Sequence, residues 1–203
     1  MCLPRLLFHV GFRASSPRAW FDKALAVRKA LAAADPSNIN WQHDLALSYE
    51  KLGEIAVSAG KLNDAHTWFD KALAIRETLV AADPSNTDWQ RDLSLSYERL
   101  GGIAVSVGKL DDARTWSEKA VAVRMALAAA DPSNAGWQRD LCITFVKVAL
   151  VARNSTEAMK YLDEARLIYG RLQLGSSFRG DEQFAQIGTA LDQLARALPT
   201  MKD

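Results

Sequence analysis

The sequence predicts an all-α fold built from tandem pairs of antiparallel helices, with one further amphipathic helix as a C-terminal cap. Two observations carry this prediction: a repeat of 48 residues, and apolar residues spaced by three and four, which fits one face of a helix. Composition agrees, because Ala, Leu, Glu, Lys and Arg are abundant relative to Val, Thr and Ile. A length of 203 residues suits one compact domain or one short repeat array.

The tryptophans reveal the repeat. They form two series with a spacing of 48 residues: Trp20, Trp68 and Trp116, then Trp41, Trp89 and Trp137. Residues 20–67 and 68–115 are identical at 35 of 48 positions. The third copy drifts after Cys142 and loses three residues near Arg153, so that Tyr161 stands in the place of a tryptophan. We therefore expect an irregular leader (1–15), a repeat array (16–180, with units 20–67, 68–115 and 116–160) and a capping helix with its tail (181–203).

Each unit is predicted to contain two helices. Within 41–59 the apolar or small residues follow helical spacing until Gly60, and within 63–82 they do so until Asp83-Pro84. Asn38, Asn86 and Asn134 stand where an N-cap is needed. The predicted helices are 17–34, 39–59, 62–82, 87–107, 110–130, 135–152, 155–173 and 181–198.

Residues within these pairs resemble a known repeat. The first copy contains Tyr49, Leu52-Gly53, Ala56, Gly60, Leu62, Ala65, Phe69 and Ala72, and the second contains Tyr97, Leu100-Gly101, Ala104, Gly108, Leu110, Ala113 and Ala120. These types and spacings resemble the tetratricopeptide repeat, in which small residues let two helices approach closely. The likeness covers roughly 17–173. The unit is longer than the family's 34 residues, which is similar to the elongated repeats of kinesin light chains and bacterial signalling proteins.

This resemblance implies an α-α superhelix, or solenoid, whose first helices line a concave surface that binds a peptide or another protein. By the family pattern, the partner-binding residues would be His43, Leu47, Glu50, Glu54, Arg91, Leu95, Glu98 and Arg139, continued by Val57, Val105 and Leu150. Some family members clamp a chaperone's terminal carboxylate at this face with lysines and asparagines. Glu50, Glu54 and Glu98 occupy those places here, so we do not expect that ligand.

The expected function is therefore a protein-protein interaction scaffold. The alternative is a structural module that oligomerises through its N-terminal helix, because the apolar stripe of that helix lacks the partner helix that later copies possess. The stripe consists of Trp20, Phe21, Ala24, Leu25 and Leu31. Exposed apolar patches of this kind are rare on soluble monomers.

Two charged positions recur with the repeat. Arg28, Arg76 and Arg124 lie on apolar stripes of second helices, and Asp44, Asp92 and Asp140 lie in the first turns of the helices that follow. A charge in such a setting needs a partner. We expect a repeated structural Arg-Asp ion pair, with ligand contact as the alternative.

Other functional classes are disfavoured. The 25 basic and 24 acidic residues leave no net field for nucleic acid or an acidic membrane surface, and no apolar run is long enough for a membrane span. Cys2 and Cys142 suit a reducing, cytoplasmic setting. His9, His43 and His66 lack the spacing of a zinc site, and the tryptophans are expected in or near the core rather than in an aromatic cage. Without a nucleophile turn or phosphate loop, we expect neither catalysis nor a cofactor.

Overall fold

A computed structural model of the chain describes residues 17–175, Phe178 and 181–197, with side chains from Phe21 onward except that of Gln183. These ranges hold α-helices and turns and no strand. The helices are α1 (Pro17–Ala34), α2 (Ile39–Ser58), α3 (Leu62–Ala82), α4 (Thr87–Ser106), α5 (Leu110–Ala130), α6 (Ala135–Ala149), α7 (Ser155–Leu174) and α8 (Glu182–Ala197). The predicted leader 1–15, His9 and the side chain of Trp20 lie outside the described part.

The helix boundaries agree with the sequence prediction to within one residue, except at the end of α6. That helix stops at Ala149 rather than residue 152. The next helix, α7, begins at Ser155 as predicted, and its start is capped, because Asn154 accepts a hydrogen bond from the Glu157 amide and Glu157 accepts one from the Arg153 amide. This reciprocal cap draws residues 150–154 out of the helix.

Local hydrogen bonds set the other helix starts and the turns. Asn38, Asn86 and Asn134 each accept a bond at 3.1 Å from the amide three residues later, which confirms the predicted N-caps. First helices end at Gly60 and Gly108, whose φ angles of 70° and 76° lie in the left-handed region that favours glycine.

Helices that follow one another in sequence pack together, and α8 contacts both α7 and α6. Within the pairs α2–α3, α4–α5 and α6–α7, the same aromatic contact recurs. Tyr49 stacks on Trp68 with ring centroids 5.7 Å apart, and Tyr97 stacks on Trp116 at 5.9 Å. In the third pair Phe145 meets Tyr161 at 6.0 Å. Tyr161 thus packs in the place of the missing tryptophan.

Close approach of α2 and α3 depends on Gly53. A Cβ atom at this position would lie 2.4 Å from the Phe69 ring, so a larger residue would push the helices apart. Trp68 and Trp116 are half-buried against the core of the central units. Trp41 is also half-buried and packs against the core cluster that residues of α1, α2 and α3 form. The expectation that tryptophans lie near the core is confirmed for these three.

Candidate functional site

A buried arginine joins three helices at the middle of the array. Arg76 on α3 donates to Glu50 Oε2 on α2 at 2.5 Å through Nη2. Its Nη1 donates to Ser96 Oγ on α4 at 2.7 Å. Because a buried guanidinium without such partners is strongly destabilising, these bonds are a condition of the packing. They connect the two helices of one unit to the first helix of the next.

The same arrangement recurs one unit later. Arg124 on α5 donates to Glu98 Oε2 on α4 at 2.6 Å, and to the Asp140 carbonyl at 3.1 Å and the Thr144 hydroxyl on α6. Burial lowers the pKa of the Arg124 guanidinium, and the nearby carboxylate of Asp140 opposes that effect. At the start of the array, Arg28 on α1 donates to Ser48 Oγ at 2.6 Å. Each unit thus reaches the next through one arginine.

The predicted Arg-Asp pairs are wrong. Arg76 and Arg124 take glutamates of the preceding helix as their ion-pair partners, and the hydrogen bond that Arg124 makes with Asp140 goes to the backbone carbonyl. The glutamates sit on the side of the first helix that faces the second helix of the same unit. The carboxylates of Asp92 and Asp140 instead face residues of the preceding first helix.

A second set of pairs between basic and acidic side chains joins consecutive first helices. We call the side of α2, α4 and α6 that carries these pairs the first-helix surface. His43 Nδ1 lies 3.7 Å from Asp92 Oδ2, and Arg91 Nε lies 3.1 Å from Asp140 Oδ2. The same two positions of the repeat therefore meet between α2 and α4 and between α4 and α6. A further position pair repeats likewise: Arg99 reaches Glu50 Oε1 at 3.7 Å, and Lys147 reaches Glu98.

All eight predicted partner-binding residues lie on α2, α4 or α6, but their exposure differs. Leu47 and Arg91 are exposed, and Glu50 is buried beneath Arg76 and Arg99. The half-buried ones are His43, Glu54, Leu95, Glu98 and Arg139. Arg139 lies over the Phe178 ring at 5.4 Å. Contact of these residues with a partner stays a prediction.

Sequence reasoning missed Arg99 and Lys147. A signal was present, since a basic residue follows the recurring glutamate position in all three copies, as Lys51, Arg99 and Lys147. Arg99 also pairs with Glu54 at 2.6 Å, and Glu54 in turn meets Lys51 at 2.8 Å. The charges on this part of the surface are therefore largely matched within the protein.

Between these pairs the first helices expose apolar side chains. Leu47 and Val57 are exposed on α2, Val105 is exposed on α4, and Leu150 is exposed just after α6. Val57 and Val105 stand at the same position of successive units. Each was placed on this face by the family pattern, so the surface combines exposed aliphatic residues with charges that already have partners.

A groove lies between α2 and α4 on this surface. Its volume is about 530 Å³, and its lining residues are Glu54, Val57, Ser58, Phe69, Arg99, Gly102, Ile103 and Ser106. Phe69 and Ile103 are buried side chains, and Val57 stands exposed at the edge. The volume falls in the range of about 300–1,000 Å³ that is usual for ligand pockets.

Comparison with known proteins identifies the repeat. The family model described as tetratricopeptide repeat matches residues 45–85, which include most of α2, all of α3 and part of the turn after it. This segment of the chain is therefore similar to a tetratricopeptide repeat. Tetratricopeptide repeats generally mediate protein-protein interaction. No curated protein matches the sequence of this one.

One solved structure supports the helical-repeat fold, and a second is reported beside it for its likeness alone. A de novo designed helical repeat protein is similar with a TM-score of 0.52 and 17% identity, over 88% of this chain and 90% of that one. A thermophilic tetratricopeptide-repeat protein from Thermus thermophilus has a TM-score of 0.41 and 18% identity, over 84% of this chain and 90% of that one. The designed protein shares the helical-repeat architecture, and at this identity nothing further is inferred from it.

The described residues include neither a membrane-spanning helix nor a cluster of metal-binding side chains. None of their helices is long and apolar enough to cross a membrane. The same residues contain no group of three or more His, Cys, Asp or Glu side chains placed to hold a metal ion. Cys142 is buried with its thiol 3.3 Å from the Ala165 carbonyl, and burial raises the pKa of that thiol to about 12. It is therefore an unreactive packing residue.

Proposed function

We propose that this helical-repeat protein is a scaffold that binds a peptide or another protein along the first-helix surface. The observation that carries the proposal is the row of exposed aliphatic side chains, Leu47, Val57 and Val105, among charges that are already paired. Burying these side chains against a partner gains hydrophobic free energy. Because neighbouring charges keep their partners, that gain is not cancelled by stripping unpaired charges of water.

The ion pairs between first helices also support this proposal. They link α2 to α4 and α4 to α6, and so they favour one arrangement of the surface before a partner binds. A preorganised surface loses less conformational entropy on binding, which favours affinity. The predicted residues Arg91 and Leu95 lie within this surface and would contribute at its centre.

Single substitutions on opposite faces test the proposal. Leu47→Glu and Val105→Glu place a charge on the first-helix surface, while Met125→Glu and Leu167→Glu do the same at exposed positions of α5 and α7. Partners would first be captured by the unaltered protein and identified by mass spectrometry, then titrated by calorimetry. We expect the first two variants to weaken binding by about tenfold or more and the other two to bind normally. Equal weakening by both groups would refute the assignment.

A second candidate function, self-assembly through α1, is favoured by the difference in side-chain exposure between α1 and α3. Phe21 and Leu31 are 41% and 37% exposed, whereas Phe69 and Leu79 at the same positions of α3 are 3% and 4% exposed. The Phe69 ring lies against Gly53 of α2, and the described residues hold no helix before α1 that stands in the corresponding place. A second copy of the chain could bury the same surface.

A further inference from the structure

One residue separates two otherwise identical stretches of the first-helix surface. Residues 52–58 and 100–106 read alike except that Gly102 stands where the preceding unit has Glu54. Gly102 lies inside α4, five positions from its C-cap Val107. The change removes a charged side chain from the edge of the groove between α2 and α4.

Neither packing nor backbone geometry accounts for this glycine. A Cβ atom at Gly102 would meet no atom within 4 Å, in contrast to Gly53, where it would lie 2.4 Å from the Phe69 ring. The positive φ angles among described glycines are those of Gly60 and Gly108, at the ends of helices. Glycine is also less favourable than other residues within a helix. What it provides here is open space on the surface.

The charged groups around that space already have ion-pair partners, although Arg99 Nε itself makes no hydrogen bond. Glu54 pairs with Arg99 at 2.6 Å and with Lys51 at 2.8 Å. The hydroxyls of Ser58 and Ser106 donate to carbonyls of their own helices at 3.0 and 2.9 Å. A charged side chain of a partner would lose its hydration on entering this space, and it would find no unpaired opposite charge there to compensate.

The apolar part of the groove suits an uncharged side chain, which needs no opposite charge. Three apolar side chains line it: Phe69 and Ile103, which are buried, and Val57, which is exposed. An apolar side chain placed there would bury its own surface and that of Val57. From this balance we infer that the groove over Gly102 receives an uncharged aliphatic or aromatic side chain of the partner segment. The inference rests on the proposed binding function and names the anchor that the partner must supply.

Small probes test the groove without a known partner. The probes are the N-acetyl N-methylamides of leucine, lysine and glutamate, each titrated into the isotope-labelled full chain and followed by NMR. The leucine derivative is expected to shift the Gly102 amide and the Val57 methyl signals more than the two charged derivatives do. Equal shifts with all three, or no shift with leucine, would overturn the inference.

Peptides displayed on phage supply the second arm. Random dodecapeptides selected on the unaltered chain would be titrated against Gly102→Glu, which restores the residue of the preceding unit, and against Gly102→Gln, which fills the space without a charge. Gly170→Glu is the matched control, because Gly170 also lies within a helix and has open space at its Cβ position. We expect affinity to fall about tenfold or more for both Gly102 variants and less than about twofold for the control.

The two arms separate the inference from the function on which it rests. If the selected peptides lose affinity on Leu47→Glu but not on either Gly102 variant, the scaffold function stands and the groove assignment is wrong. If neither Leu47→Glu nor the Gly102 variants affect binding, both are wrong. Circular dichroism of each variant would verify that helicity is retained.

Discussion

Arg76 and Glu50 form an ion pair that is almost withdrawn from solvent, with exposures of 1% and 6% and an Nη2 to Oε2 distance of 2.5 Å. The family pattern assigns Glu50 to partner contact, yet in this fold its carboxylate neutralises a buried cation. Glu98 does the same for Arg124. Changes at these two glutamates therefore act on stability first, and their effect on binding cannot be interpreted without a stability measurement.

We predict that Glu50→Ala destabilises the protein by about 3–5 kcal/mol, because it leaves the Arg76 guanidinium buried without a counter-charge. The double variant Glu50→Leu with Arg76→Met should be less destabilised than Glu50→Ala alone, since both charges are removed together. Urea unfolding followed by circular dichroism measures both. As a control, Asp92→Asn should combine additively with Arg76→Met, because these side chains are not paired; a strong coupling there would contradict the geometry.

Trp68 is predicted to stabilise the junction of two core clusters. It stacks on Tyr49, lies beneath the Lys71 ammonium at 4.6 Å, and packs against both clusters that flank α3. Trp68→Ala should cost about 3 kcal/mol, near the low end for buried aromatics because the indole is only half-buried. Trp68→Phe, which keeps a ring at this position, should cost clearly less. Thermal unfolding would decide, and a loss below about 1 kcal/mol for the alanine variant would refute this role.

The fold could be predicted because local and repeating signals agree. Asn86 caps a helix through a hydrogen bond with the amide of Trp89, only three residues later in the sequence. The tryptophan spacing indicates which segments are equivalent. The end of α6 could not be placed so well. It depends on the cap formed by Asn154 and Glu157 in the one copy where the repeat had lost residues, so no second copy confirmed the boundary.

The surface residues were predicted less completely, for a physical reason. Sequence spacing places Glu50 and Arg91 on the same helix faces, but it does not show that Glu50 points under Arg76 while Arg91 reaches Asp140 of the next first helix. Those contacts join residues 26 and 49 positions apart, and they depend on how the pairs stack. The Arg-Asp prediction failed at this step, since Arg76 and Arg124 each have a glutamate 26 residues earlier and an aspartate 16 residues later, and the sequence does not show which of the two is in contact.

Alkaline pH is predicted to destabilise the protein through Tyr97. Its hydroxyl donates to Glu77 Oε1 at 3.1 Å, and burial, together with that carboxylate, raises the Tyr97 pKa from 10.0 to about 12. Because the folded pKa lies above the unfolded one, the stability contributed by the neutral phenol is present below pH 10 and is lost as pH rises towards 12. Tyr97→Phe should flatten this part of the profile of unfolding free energy against pH. An unchanged slope would contradict the assignment.

The exposed apolar face of α1 is predicted to mediate self-association. Because Phe21 and Leu31 match residues that are covered in α3, a second copy that packs on them would remove the same surface from water. Sedimentation equilibrium should show a concentration-dependent dimer, which Phe21→Glu with Leu31→Glu disrupts and Leu167→Glu on α7 leaves intact. Deleting residues 1–15 should also leave it intact. If the unaltered chain is a monomer and associates only after the deletion, residues 1–15 cover α1. If every variant is a monomer with an unchanged melting temperature, α1 is not an interface.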